Sequence, residues 1–475
     1  MSVPVQPSPS AVRRPLPVPL VQQLAAAFGD RFSTAGAVCL QHGKDESAYA
    51  PCAPDAVVYP LSTEDVAAVV RLCANHRVPV IAFGVGSSIE GHVLAVEGGV
   101  CVDMSRMAGV LEVRPEDLTA TVQAGVTRED LNREVAHTGF FFPVDPGANA
   151  TIGGMVATGA SGTTTVRYGT MRDNILSLTV VTAQGEVIRT ARRARKSSAG
   201  YNLTQLFCGS EGTLGIITEV TVKLHPRPEA VAAAVVNFAD VKAAVDCVIQ
   251  AIQAGVPLAR AEMLDALTIS AINRHSRTAL REAPTLFLEF SGSPAQLQEQ
   301  GAALQAIARD CGGGEFQWAT LPEERSRLWT PRHQAYFACL QLRPGCRSLT
   351  TDVCVPISRL ADCIAETLED IGRSGLVAPV FGHVGDGNFH CLLLVDPGNA
   401  QEGRTAEALS QRLVRRAIAF EGTCTGEHGV GLHKMQYLEE EHGAVTVDVM
   451  RRIKAALDPH NILNPGKVVA VQGEP

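Results

Sequence analysis

Gly84-Val-Gly-Ser-Ser-Ile-Glu-Gly91 decides how this chain folds. Residues 62–78, just upstream, read as a helix. Ser62 and Asp65 approximate a capping box, and Val66, Val69, Val70 and Cys73 recur at helical spacing. Pro79 ends that helix, and Val80-Ile-Ala-Phe83 reads as a buried strand running into the glycines. A GxGxxG fingerprint here would announce a nicotinamide-type Rossmann unit. The third glycine is displaced, however, and Val100-Cys-Val-Asp103 beyond it reads as another strand, not a long helix. The Rossmann reading is therefore poor. Two readings stay open: backbone N–H groups cradling a pyrophosphate, and a tight turn between strands.

Two further glycine-rich stretches follow. Residues 119–125 read as a strand and 127–138 as a helix, with Thr127 and Asp130 as its cap. A tract of small residues then runs from Pro143 to Gly162, followed by Arg167-Tyr-Gly-Thr-Met-Arg-Asp-Asn174. Its aliphatics and near absence of charge are wrong for a solvated linker, so it is read as backbone laid against a large flat ligand. Residues 176–182 and 185–189 form a hairpin, and the basic run 192–196 is read as a solvated loop. Gly209-Ser-Glu-Gly-Thr-Leu-Gly215 leads into a strand over 216–224, and Pro226 and Pro228 mark a boundary.

Beyond that boundary the texture changes. Strands over 231–238, 258–263 and 285–290 alternate with helices over 241–254 and 294–311, which suggests a ferredoxin-like α+β domain. A strand over 350–355, a helix over 357–374 and a helix over 442–457 are also expected. Phe381-Gly-His-Val-Gly-Asp-Gly-Asn-Phe-His390 places His383 and His390 on either side of a turn. Thr423-Cys-Thr-Gly-Glu-His-Gly-Val-Gly431 sets Glu427 and His428 between glycines. Two histidines and a carboxylate, with a further histidine close by, are what an open catalytic metal site uses.

A chain of 475 residues needs two or three domains. Hydrophobic and charged contents of 46% and 19% are globular values, and a net charge of -8 argues against a nucleic-acid partner. No run of eighteen apolar residues is present to span a membrane. Thirteen scattered cysteines without a CxxC pair fit a reducing compartment and small packing roles. Arg13 and Arg14 weakly suggest an organellar presequence, but the prolines at 4, 7, 9, 15, 17 and 19 favour a disordered tail over 1–18.

The glycine loops, Phe142-Pro-Val-Asp-Pro-Gly147, Arg343-Pro-Gly-Cys346, Thr351-Asp-Val-Cys-Val-Pro356 and the two histidine clusters together resemble the FAD-dependent 2-hydroxy-acid dehydrogenases of the vanillyl-alcohol-oxidase fold. Within that family the likeness, spanning about 54–468, is strongest to the cytochrome-type D-lactate dehydrogenases. The resemblance implies an FAD-binding domain of two subdomains over 19–227 and a ferredoxin-like substrate cap over 228–425. The segment 426–475 is expected to return to the FAD domain. FAD would be held non-covalently, because Ser87 and Ser88 stand where some relatives carry a covalently linked histidine. Gly84, Gly86, Ser87 and Ser88 would line its pyrophosphate. Val144, Gly147, Thr151, Gly153, Gly154, Gly159, Ser161 and Gly162 would follow the ribityl chain and ring. Glu211, Gly212, Gly215 and Ile217 would lie near the adenine side, and Asn464 would close over the isoalloxazine.

The implied reaction oxidises a D-2-hydroxy acid, D-lactate foremost, with hydride passing to flavin N5. Arg332 would clamp the substrate carboxylate, where the plain alternative is a helix-surface ion pair. His383, His390 and Glu427 would hold a divalent metal, zinc or manganese with iron also open, as a Lewis acid. His428 would take the hydroxyl proton, and Asn388 would hydrogen-bond the substrate. Tyr336, placed one helical turn from Arg332, would wall the pocket, or Arg347 would receive a second carboxylate as in D-2-hydroxyglutarate oxidation. Glycolate oxidation, alone or as a subunit of a larger complex, and a flavin-free metal hydrolase are the competing readings. A cytochrome, a quinone, an electron-transfer flavoprotein and dioxygen are all open as acceptor. The expected setting is cytoplasmic, with peripheral attachment to the inner membrane admitted, or mitochondrial in a eukaryote, and a homodimer is compatible.

Overall fold

The computed structural model describes Arg13 and residues 15–471. The expected tail over 1–18 lies mostly outside the described residues. The chain divides into two compact units. One, the glycine unit, takes the described residues up to Gly162, then Gly169–Arg227 and the described residues from Glu427 onward. The other, the histidine unit, takes Thr163–Tyr168 and Pro228–Gly426.

In the glycine unit, strands Ala56–Val58, Val100–Asp103 and Val80–Phe83 lie parallel, with Phe32–Ser33 antiparallel on the edge. Helix Thr63–Asn75 shares one buried core with Val58, Val80, Val100 and Val102 of this sheet. Ser62 caps it, accepting from the Asp65 N–H at 3.2 Å, and Val66, Val69, Val70 and Cys73 are all buried. Each valine so buried contributes about 1.5–3 kcal/mol relative to exposure. A five-stranded sheet follows, ordered Val110–Arg114, Thr119–Gln123, Ile216–Lys223, Ile175–Val181, Val187–Arg189, all antiparallel. Helix Ala444–Leu457 is tied down by Lys454, whose buried ammonium donates to Asp458 Oδ2 at 2.5 Å and to the carbonyls of Thr213 and Leu463. Leu463 then bridges to Val80 beside the first glycine loop.

The small-residue tract is only partly loop. Ile152–Thr158 is a short helix, capped by Thr151, which accepts from the Gly154 N–H at 3.3 Å. A Cβ on Gly153 would stand 2.5 Å from that of Ala124, so this glycine lets the helix approach its own sheet. Some of the smallness read as ligand contact thus serves internal packing. The basic run 192–196 is exposed, and Arg193 pairs with Asp117 at 2.7 Å.

In the histidine unit the sheet order Phe316–Ala319, Ala230–Asn237, Thr285–Gly292, Leu258–Leu264 is fourth-first-third-second, all antiparallel. With helices Val241–Gln253 and Pro294–Asp310 as connections, this is the ferredoxin-like arrangement expected. The sheet continues through Val380–Gly382 and Asn388–Val395 to Arg347–Thr350. The single strand expected over 350–355 is two pieces, Arg347–Thr350 and Val353–Cys354, both paired to Asn388–Val395. Thr351 and Asp352 interrupt it because their side chains bond inward: Thr351 Oγ1 accepts from the Cys391 N–H and Asp352 accepts from Asn388.

Two longer helices add to the elements expected here. Ala400–Ala419 buries Leu409, Leu413, Val414 and Ala417. Ala266–Ser276 is capped by Asp265, which accepts from the Thr268 N–H at 2.7 Å. Burial pushes the Asp265 carboxyl up to about 6, partly offset by hydrogen bonds to Thr268 and Val380. A carboxyl raised in the fold above its unfolded value binds its proton more tightly when folded, so stability falls as pH rises from about 4 to about 6. Asp265→Asn keeps a capping oxygen without the charge. It is expected to raise unfolding stability by up to about 3 kcal/mol at pH 7 and by almost nothing at pH 4, measured by urea denaturation.

Candidate active site

Strand Val380–Gly382 pairs with Asn388–Val395, with Phe381 opposite His390. The reversal spans 383–387, and His383 closes it by accepting at its carbonyl from the N–H groups of Asp386 and Asn388. Gly387, at φ 83°, takes the left-handed position in this reversal. The hairpin brings the imidazoles of His383 and His390 to 5.7 Å between centroids, at 84° to one another. Each ring has an acceptor at Nδ1: Glu262 Oε1 at 2.6 Å for His383 and the Thr351 carbonyl at 3.1 Å for His390. A carbonyl can only accept, so His390 carries its proton on Nδ1, and Nε2 is the lone-pair nitrogen. An acceptor behind each ring that fixes the outward nitrogen as a donor pair is what metal-ligating histidines use. The donor set therefore fits a divalent ion.

Glu262 lies on Leu258–Leu264, one strand over, and is fully buried. Its second oxygen accepts from Arg332 Nε at 3.0 Å and Nη2 at 2.6 Å. Burial alone would raise the Glu262 carboxyl. His383 and Arg332 outweigh it and hold the group below the usual carboxylate range. Arg332, in the last turn of Pro322–His333, is thus neither an exposed helix ion pair nor an uncommitted clamp. One edge of its guanidinium is taken by a protein carboxylate, and its carbon stands 5.3 Å from the centre of the Phe381 ring.

Asn388 donates from Nδ2 to Asp352 Oδ1 and the Val353 carbonyl, both at 2.8 Å, while its Oδ1 is buried without a partner. Its remaining capacity is that of an acceptor, suited to a hydroxyl proton. Asp352 also accepts from Thr425 Oγ1 at 2.8 Å. Between Arg332 and Tyr336 the helix is interrupted at one residue, Gln334, which keeps a right-handed helical conformation; Tyr336 is the second residue of Ala335–Leu340 and has 42% of its surface exposed. Arg347 is exposed on the outer strand, and His333 stacks on Trp329.

In the glycine unit Glu427 Oε2 accepts from Ser161 Oγ at 2.5 Å, and His428 Nε2 lies 3.9 Å from Glu427 Oε1. The loop beyond them is pinned by Glu211, whose oxygens accept the Val430 N–H at 2.7 Å and the Gly431 N–H at 2.8 Å. A Cβ on Gly429 would stand 2.8 Å from both Glu211 Oε1 and His92 Nε2, which is why the chain passes here as glycine. His92 Nε2 faces Glu211 Oε2 at 3.2 Å. Burial lowers the affinity of this imidazole for a proton, but Glu211 more than restores it, so the net shift is upward. Asn464 Nδ2 donates to the carbonyls of His92 and Glu211, and Lys467 donates to the Leu94 carbonyl. Burial drives the Lys467 ammonium down to about 8.

Several observations test the fit of a large polar ligand in this unit. A Cβ added at Gly147 would meet nothing within 4 Å, and one at Gly212 only Ala82 at 3.9 Å. Ser210 Oγ and His92 Nδ1 are buried without hydrogen-bond partners. Open backbone beside unmatched polar atoms fits a dinucleotide such as FAD. Glu262, Asp352 and His92 were missed in the sequence.

Residues 54–191 match the FAD binding domain family, and residues 227–468 match the C-terminal domain of FAD linked oxidases. The chain is 50% identical over 454 residues to "Probable D-lactate dehydrogenase, mitochondrial" of Danio rerio, covering 95% of this chain and 91% of that one. It is 45% identical to "D-lactate dehydrogenase [cytochrome], mitochondrial" of Arabidopsis thaliana, covering 96% and 80%. Among solved structures, p-cresol methylhydroxylase with substrate bound aligns over 96% of this chain and 97% of its own at a TM-score of 0.79 and 20% identity, which shows the fold.

Proposed function

The chain belongs to the FAD-linked oxidases, as an FAD-dependent oxidoreductase of 2-hydroxy acids, and we propose that its substrate is D-lactate and its product pyruvate. What carries the choice of substrate is the likeness to two D-lactate dehydrogenases along nearly the whole chain, glycine loops and histidine hairpin together. In this reading the substrate carboxylate meets the end of the Arg332 guanidinium that Glu262 leaves over. Asn388 Oδ1 accepts from the C2 hydroxyl, and His428 removes that proton. His383, His390 and Glu427 would hold the divalent ion, zinc or manganese. When bound, FAD supplies the two-electron acceptor and the metal supplies a Lewis acid for the C2 oxygen. The glycine loops at 84–91, 143–162 and 209–215, with Asn464, would hold the flavin non-covalently.

The Arabidopsis relative is named for a cytochrome, which supports a cytochrome as the acceptor we propose for this chain. The compartment assigned is that of the two mitochondrial relatives. Among the described residues no helix is long and apolar enough to cross a membrane.

A panel of D-lactate, L-lactate, D-2-hydroxyglutarate and glycolate, assayed with an artificial electron acceptor, tests the substrate. D-lactate is expected to lead in kcat/KM by about tenfold or more, the size of preference a shaped pocket gives. A lead for D-2-hydroxyglutarate would replace lactate and give Arg347 its second carboxylate.

A further inference from the structure

We propose that Glu262 is a positioning residue that fixes Arg332 and His383 with one carboxylate, so that metal affinity and substrate-carboxylate binding depend on the same side chain. The inference rests on the reading above, in which His383 is a metal ligand and Arg332 the carboxylate clamp.

Glu262 sits in Leu258–Leu264 among Ala261, Met263 and Leu264, all buried, and has no exposed surface itself. An acid in such a place is unfavourable unless it is matched by opposite charge and hydrogen bonds. A single ion pair would be enough for that. Glu262 instead divides its oxygens between two different elements. Oε1 reaches His383 Nδ1 at 2.6 Å, and Oε2 reaches Arg332 Nε at 3.0 Å and Nη2 at 2.6 Å. The strand pairing that sets Met263 opposite Gly382 brings residue 262 beside the hairpin, and the helix Pro322–His333 delivers Arg332 from the other side.

Each bond has its own consequence. The Oε1 contact holds the His383 ring in one orientation, with Nε2 as the nitrogen a cation takes. The Oε2 contact occupies the Nε edge of Arg332 and directs the Nη1 end away from Glu262, where a second carboxylate can be received. Neither His383 nor Arg332 can change orientation without breaking a bond to the same buried group.

The test uses the full-length flavoprotein with Glu262→Gln and Glu262→Asp. Metal affinity is read by titrating metal-stripped protein with zinc against a chelator, and KM and kcat are read with D-lactate. Glu262→Gln is expected to weaken zinc binding 10–100-fold, the range found when a partner behind a metal ligand is removed, and to raise KM about tenfold or more. FAD content and thermal midpoint separate this from general damage. Glu262→Asp, one methylene shorter, is expected to restore one of the two effects and not both, and it supplies the result if the glutamine variant does not fold. Zinc affinity and KM both within about twofold of wild type in either folded variant would overturn the proposal. So would losses that only track the loss of FAD. If the wild-type protein itself binds no metal, the reading of His383 as a ligand falls, and the proposal falls with it.

Discussion

His428→Ala is expected to keep its FAD and to lose about 10²–10⁴-fold in the rate of flavin reduction by D-lactate, the contribution a positioned general base makes. Retention is expected because the loop carrying His428 has a backbone tie that the substitution does not touch. Glu211 holds it through the Val430 and Gly431 backbone N–H groups, and the alanine leaves both bonds in place. The flavin visible spectrum of the purified variant should therefore match wild type, while anaerobic stopped-flow traces at 450 nm should be slow. Wild-type reduction rates in the variant would remove His428 from the role of base. Loss of FAD instead would move it to the cofactor's own binding.

His383→Ala is expected to abolish stoichiometric metal binding, read by elemental analysis of protein dialysed against zinc or manganese, and to slow flavin reduction at least as severely. The structure adds a second effect. Glu262 would lose one of its two partners while remaining fully buried beside Arg332. Leaving a buried acceptor less satisfied costs about 1–3 kcal/mol, so the variant should also unfold at a lower urea concentration. Unchanged metal content would refute the ligand role.

The two predictions draw on features with different legibility. The hairpin around His383 and His390 could be read because its turn residues, Gly385, Asp386 and Gly387, carry their conformational signal locally. The caps at Ser62 and Thr127 were readable for the same reason: each accepts from an N–H three residues on. Glu262 could not be read. Its neighbours are apolar, it sits in a strand, and its partners lie 70 and 121 residues away, so only strand register and helix packing bring them together. Asp352 was hidden in the same way, inside a run that reads as one continuous strand and breaks because its side chain turns inward to Asn388. Tyr336 is an intermediate case: helical spacing from Arg332 is legible, and the one-residue break at Gln334 within it is not. Ala400–Ala419 carries a helical period in Leu409, Leu413 and Val414 that its many charged residues obscure.

The glycines show a limit of composition. Gly153 is glycine because its helix lies against Ala124, whereas Gly147 has open space where a side chain would be. Sequence alone gives both the same weight. Only the surroundings separate a residue kept small for packing from one that leaves room for a ligand.

Anaerobic titration of the purified flavoprotein with D-lactate tests the central claim most directly. Complete bleaching of the oxidised flavin with one pyruvate formed per FAD, and little bleaching by L-lactate, is the predicted result. A flavin that stays oxidised in the presence of D-lactate and every other D-2-hydroxy acid of the panel would contradict it.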